Sequence, residues 1–177
     1  MKYEIYGGGG NDRIIGHKGV DWISGGAGAG TLTGGLGIDD FLFDQGDSPA
    51  VTGLNLGSDG SLNTGDTFSF ANGVDCITDF TRGDRTELAH PTADENGNVR
   101  YMGSAPSNGL ATNQGYFVVQ GDYNANTGIF TVYTSTGSDT LIVWDGDPTG
   151  GVIQTGIVLS GVTPDKLSLG HGWIGHL

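Results

Sequence analysis

The sequence predicts an all-β protein, a short parallel β-roll followed by an antiparallel β-rich cap, on three observations. Four glycine-rich turns recur at a nine-residue step near the start of the chain. Each is followed by a three-residue segment with an apolar centre. From Gly115 onward, short runs rich in β-branched and aromatic residues are divided by clusters of Asn, Gly, Ser and Asp, the pattern of successive hairpins.

The turns read GGGGND from Gly7, GHKGVD from Gly16, GGAGAG from Gly25 and GGLGID from Gly34. The segments after them are Arg13-Ile14-Ile15, Trp22-Ile23-Ser24, Thr31-Leu32-Thr33 and Asp40-Phe41-Leu42, so an apolar side chain falls at every ninth position and points to one core. A flexible glycine-rich linker has no reason to keep that spacing, or an acid at the sixth position in three turns of four. Glycine tolerates positive φ and close backbone approach, so six residues can turn tightly with carbonyls facing inward. Two successive short strands reverse the chain, and turns two steps apart therefore stack on the same side. Carbonyls with Asp12, Asp21 and Asp39 make an all-oxygen environment, which suits a hard cation such as calcium.

These turns resemble the RTX (hemolysin-type) calcium-binding nonapeptide, G-G-x-G-x-D-x-U-x. The resemblance implies that each Ca2+ is held by carbonyls two and four and the Asp of one turn, with carbonyls one and three and the Asp of the turn two steps on. The second and fourth turns then give a complete site from His17 O, Gly19 O and Asp21 with Gly34 O, Leu36 O and Asp39. The first and third give Gly8 O, Gly10 O and Asp12 with Gly25 O and Ala27 O, but Gly30 stands where the second Asp is expected, so that site is weaker or completed by water. His17 occupies a glycine position, where its carbonyl still serves. Four apolar side chains are too few to order a glycine-rich roll, so ion binding and folding of residues 7 to 42 are expected to be one event.

A second likeness lies at Phe68 to Leu88, FSFANGVDCITDFTRGDRTEL. It resembles the D-x-I-x-D-F-x-x-G-x-D-x-I-x-L segment that follows the roll in serralysin-type proteases, secreted lipases and alginate epimerases. Asp75, Ile77, Asp79, Phe80, Gly83, Asp84 and Leu88 match in spacing, and Arg85-Thr86-Glu87 departs. With the nonapeptides, this likeness covers about half of the chain.

Composition agrees. Of 177 residues, 35 are glycine, and 20 acidic side chains against 7 basic ones give a formal charge of −13, which would repel nucleic acid and anionic membranes. The single cysteine, Cys76, excludes an intramolecular disulfide and any CxxC zinc site, and reads as a small residue in a strand. No apolar run reaches transmembrane length, and Met1 to Tyr6 is not a signal peptide. The resemblance implies a different exit, type I secretion with an uncleaved C-terminal signal. Because the first turn opens so early, the chain is expected to be the C-terminal part of a longer polypeptide whose upstream domain carries the activity.

The sequence divides into a calcium-binding roll (1–44), a loop or linker (45–66) and a β-rich cap with the secretion signal (67–177). Expected cap strands include 116–120, 129–134, 140–144 and 155–159. The Gln45 to Gly65 interval reads as a long loop, and Ala89 to Ala111 carries little signal. The acidic stretches Asp44-Gln45-Gly46-Asp47-Ser48 and Asp145-Gly146-Asp147 read first as solvated turns and second as additional calcium ligands. No H-E-x-x-H, G-x-S-x-G or phosphate loop occurs, so no chemical step is assigned. His90 stands alone, and His171 to His176 reads as a solvated tail. The expected function is calcium-dependent folding, stabilisation and export. The alternative is an extracellular binding module for polysaccharide or a cell surface, with Trp22, Trp144 and Trp173 and nearby Tyr101, Tyr123 and Tyr133 as sugar platforms.

Overall fold

The computed structural model describes residues 2–44, 46–58, 62–88, 116–144, 155–170 and 172–177. Among them there is no α-helix, only a single 3-10 turn at Pro164–Lys166. The nine-residue step produces β1 (Lys2–Tyr6), β2 (Arg13–Ile15), β3 (Lys18–Ser24), β4 (Thr31–Thr33), the two-residue β5 (Leu36–Gly37) and β6 (Asp40–Phe43). Successive nine-residue steps place their strands on alternate walls. On one wall β1, β3 and β6 pair in parallel with Lys2 opposite Val20 and Trp22 opposite Asp40. On the other, β2 and β4 pair with Arg13 opposite Thr31. Ile14 and Leu32 from one wall and Ile23 and Phe41 from the other are buried in a common core. The walls are held apart by these side chains and joined by the turns.

The parallel stack does not end at β6. Strand β9 (Asp75–Ile77) pairs in parallel with β4, and β10 (Arg85–Leu88) pairs in parallel with β6. Together they form one more coil, whose Ile77 continues the column Ile14, Leu32 and whose Thr86 lies opposite Phe41. The stack therefore runs past residue 44 and takes in the segment matched to the D-x-I-x-D-F pattern. Between β6 and β9 the chain leaves the roll, forms β7 (Gly53–Asn55) and β8 (Thr67–Ser69), and returns. A strand thus lies inside the interval read as loop, because Gly53-Leu54-Asn55 pairs antiparallel with β8 through the Leu54–Phe68 register.

The cap strands are β11 (Tyr116–Asn124), β12 (Ile129–Val132), β13 (Asp139–Trp144) and β14 (Thr155–Leu159). They are joined to the roll edge to edge. The larger sheet runs β2-β4-β9-β14-β13-β11-β12-β8-β7, parallel at one end and antiparallel at the other. Every residue of β13 and β14 is buried, since each face of that sheet carries its own core. Ile142 and Trp144 point to the roll core, whereas Leu141 and Val143 join Phe68, Phe117 and Phe130 on the other side.

The last residues are not a solvated tail. Strands β15 (Leu167–Leu169) and β16 (Trp173–His176) pair with each other, and β16 pairs antiparallel with β10. Ile174 drops into the core beside exposed Trp173 and buried Gly175, an apolar signal too short to stand out in the sequence. Phe80 packs against the His176 ring at 6.1 Å. The readings placed on Ala89 to Ala111, on Asp145-Gly146-Asp147, and on His90, His171 and Tyr101 fall outside the described residues.

Candidate metal centre

The turns stack in two columns, one on each edge of the roll. In the first, third and fourth turns, glycines at positions two and four have positive φ: Gly8 at 96° and Gly10 at 116°, Gly26 at 73° and Gly28 at 136°, Gly35 at 102° and Gly37 at 142°. In the second turn Gly19 keeps the fourth position, at 125°. The alternation aims successive carbonyls at the next turn of the column. A Cβ on Gly26 would run into Gly8 O, and one on Gly28 into Gly10 O. One on Gly35 would meet His17 O, and one on Gly37 would meet Gly19 O. The later turn answers from the other side, with Gly25 O against Gly7 and Gly34 O against Gly16.

The proposed ligands thus gather in two inter-turn spaces. In the first, Gly8 O and Gly10 O approach from one turn and Gly25 O from the other, while Ala27 O accepts the Gly10 amide at 2.8 Å. Asp12 Oδ2 lies 2.8 Å from the same point beside Gly7 that Gly25 O crowds. In the second, His17 O and Gly19 O face Gly34 O, and Asp21 Oδ2 comes to the shared point beside Gly16. Leu36 is located there by its amide, which donates to His17 O at 2.9 Å. The His17 carbonyl faces the fourth turn, while its ring stays at the surface with Nδ1 accepting the Lys18 amide.

Carboxylates tie each column together. The Asp21 amide donates to Asp39 Oδ1 and the Asp39 amide to Asp84 Oδ1, both at 2.9 Å, so the three acids form a ladder. Asp79 closes the column by accepting the Gly34 and Gly35 amides at 2.7 and 2.8 Å. On the other edge the Gly30 amide donates to Asp75 Oδ1 at 2.6 Å. Asp75, Asp79 and Asp84 are thus bonded into the two columns of turns, a place the repeat reading did not give them. Their signal is a separation of 45 residues from Gly30, Gly34 and Asp39, five nine-residue steps.

Burial makes this charge costly. Burial, with the charges of Asp84, Asp21 and Asp79 added, raises the Asp39 pKa above the usual carboxylate range, against a smaller lowering by the Asp21 amide. Asp84 is raised by burial in the same way. Asp75 is pushed up to about 7, chiefly by burial. The buried oxygens Asp12 Oδ2, Asp21 Oδ1 and Asp75 Oδ2 have no hydrogen-bond partner among the described residues. The one ion pair among those residues, Lys166 with Asp165, lies on the surface far along the chain.

Orphaned carboxylate oxygens beside inward carbonyls are what a hard cation requires, since each carbonyl that accepts an amide keeps a second lone pair. No group of three or more His, Cys, Asp or Glu side chains converges among the described residues, so side chains alone do not make a site and the backbone must supply much of the shell. The residues fit calcium.

Fold and turn columns together define a calcium-binding β-roll. Residues 5–41 match the family model of the RTX calcium-binding nonapeptide repeat in four copies, and repeats of this kind bind Ca2+. No curated protein matches the chain.

Proposed function

We propose that this chain couples extracellular calcium to the folding and stability of an exported protein, with the ions held by Gly8, Gly10, Asp12, Gly25 and Ala27 in one space and by His17, Gly19, Asp21, Gly34, Leu36 and Asp39 in the other. The observation that carries the reading is the set of orphaned, buried carboxylate oxygens facing inward carbonyls. A bound cation supplies the missing counter-charge and does so only when the turns are stacked, so binding free energy becomes folding free energy. The RTX resemblance supports type I export and a place beside a further domain of the same polypeptide. In this reading the module is structural, and any chemical step belongs to that domain.

The test is a far-UV circular dichroism titration of calcium into chelator-treated protein, with magnesium alongside. A cooperative gain of β signal with calcium alone is expected. A spectrum already complete in chelator and unmoved by calcium overturns the coupling.

One observation favours binding of saccharide as a second reading. Trp173 is 41% exposed, and its ring lies against Gly170, where a Cβ would collide with it, and close to Gly175, so the ring rests on backbone while part of it meets solvent. A 160 Å³ recess lined by Leu42, Phe43, Asp44, Glu87, Leu88 and Gly172 opens beside it. The other platforms are less open: Trp144 is buried against Phe43, Trp22 carries Lys2 Nζ 3.1 Å above its ring, and Tyr123 accepts the Val74 amide through its hydroxyl. Retention on a glycan array in calcium that is lost in Trp173→Ala would support this reading, and uniform silence would end it.

A further inference from the structure

The fourth turn is followed by Asp44-Gln45-Gly46-Asp47-Ser48, where a fifth would begin, and there the chain leaves the roll. We infer that the interrupted fifth turn is nevertheless a cation site, assembled from Asp47 before the excursion and Asp75 after it. This rests on the calcium reading of the regular turns.

Three observations converge. First, Asp75 supplies the carboxylate that the interrupted fifth turn lacks at Ser48. The bond from the Gly30 amide to Asp75 Oδ1 has the same form as those from Asp21 to Asp39 and from Asp39 to Asp84. Asp75 therefore stands to the third turn as Asp39 stands to the second, although the regular partner would be Ser48. Second, Asp75 is fully buried, and its Oδ2 has no hydrogen-bond partner among the described residues.

Third, the start of the excursion is hydrogen-bonded to the third turn. The Gly28 amide donates to Asp47 O at 2.9 Å, a bond from the same turn position as that from the Gly10 amide to Ala27 O but reaching nineteen residues along the chain instead of seventeen. Asp47 Oδ2 accepts the Asp44 amide at 2.8 Å and the Ser24 hydroxyl at 3.4 Å, which orients the carboxylate, and its charge acts on Asp75. Ser48 links the two ends of the excursion: its hydroxyl donates to Gly156 O at 2.5 Å and accepts the Asp75 amide at 3.3 Å.

Two carboxylates that repel each other, one of them fully buried, make a setting that a divalent counter-ion would relieve. The available donors are all oxygen: Asp75 Oδ2, the Asp47 carboxylate and, by the eighteen-residue register, the carbonyls of Gly26 and Gly28. The ligand is a hard cation, with Ca2+ as the probe. Its structural effect is to clamp residues 48–74 to the roll, closing the gap at which the repeat is broken.

The experiment counts bound calcium by equilibrium dialysis and isothermal titration for the unaltered protein, Asp75→Asn and Asp47→Asn, with limited proteolysis of residues 49–74 in calcium and in chelator. Asn keeps an acceptor for the Gly30 amide, and Asp47→Asn alters only a half-buried turn, so at least one variant retains the fold. Each variant should bind one ion fewer, or bind one at least tenfold more weakly, and lose the calcium protection of 49–74 while the remaining sites persist. Full stoichiometry and affinity in Asp47→Asn, or in a folded Asp75→Asn, overturns the site and leaves the regular sites standing. Failure of the unaltered protein to bind calcium at all overturns the broader reading instead.

Discussion

Asp39→Asn should change stability in opposite directions with and without calcium. Asp39 is 1% exposed, and its carboxylate is disfavoured by burial and by Asp84, Asp21 and Asp79. Asparagine keeps the shape and the Oδ1 acceptor for the Asp21 amide and removes the charge. In chelator the variant should therefore match or exceed the unaltered protein. In calcium the balance should reverse, because on the proposed assignment the site shared by the second and fourth turns loses an anionic ligand. With calcium at 100 times Kd, a single site stabilises the folded state by about 2.7 kcal/mol. A domain of this size shifts by about 2–4 °C per kcal/mol, so the calcium-induced rise in Tm attributable to this site is roughly 5–11 °C. The variant should forfeit most of that rise. Paired thermal melts followed by circular dichroism, in chelator and in calcium at one pH, provide the comparison. An equal loss in both conditions would make Asp39 a hydrogen-bonding residue and nothing more, and an undiminished calcium shift would remove it from the ligand set.

Three further outcomes are expected. Because burial raises the folded-state pKa of Asp75 to about 7, chelator-treated protein binds more protons folded than unfolded above about pH 4. Its stability should fall as pH rises from about 4 to 7, by up to about 4 kcal/mol from this group; denaturant midpoints across that range measure it, and a rising stability would contradict it. Gly10→Ala meets only the strain of φ 116° with open space around its Cβ, about 1–3 kcal/mol, whereas Gly37→Ala adds a collision with Gly19 O and should cost more in urea unfolding and also weaken calcium binding. Cys76, its thiol pushed up to about 12 mainly by burial, should resist a thiol reagent at pH 8 in calcium and react on denaturation.

Much of the roll was legible because its period is rigid. Ile14, Ile23, Leu32 and Phe41, read off at every ninth position, are all buried at the interface of the two walls. What escaped is the coil made by β9 and β10. Locally, Asp75-Cys76-Ile77 is only a short strand with a matching motif, and nothing in it says that its neighbour is Thr31-Leu32. The information lies in a separation that remains a multiple of nine across an excursion with a different pattern. The cap strands were visible as apolar runs between turn residues, although β11 runs on to Asn124 because Gly121 to Asn124 pair with β12. Strand β16 was missed because a single inward side chain, Ile174, supplies its apolar signal.

The two edges of the roll have different futures. At the later edge, β9 is paired with β14 and β10 with β16, so no coil can be added there without displacing strands that the core requires. At the earlier edge, β1 and β2 are the outermost strands of their sheets. Eighteen residues inserted ahead of β1 in the nonapeptide pattern would lay down one more strand on each wall and one more turn in each column. Roll length, and with it ion capacity, is thus a quantity that can be dialled from one side, while the opposite side sets a fixed zero from which coils are counted.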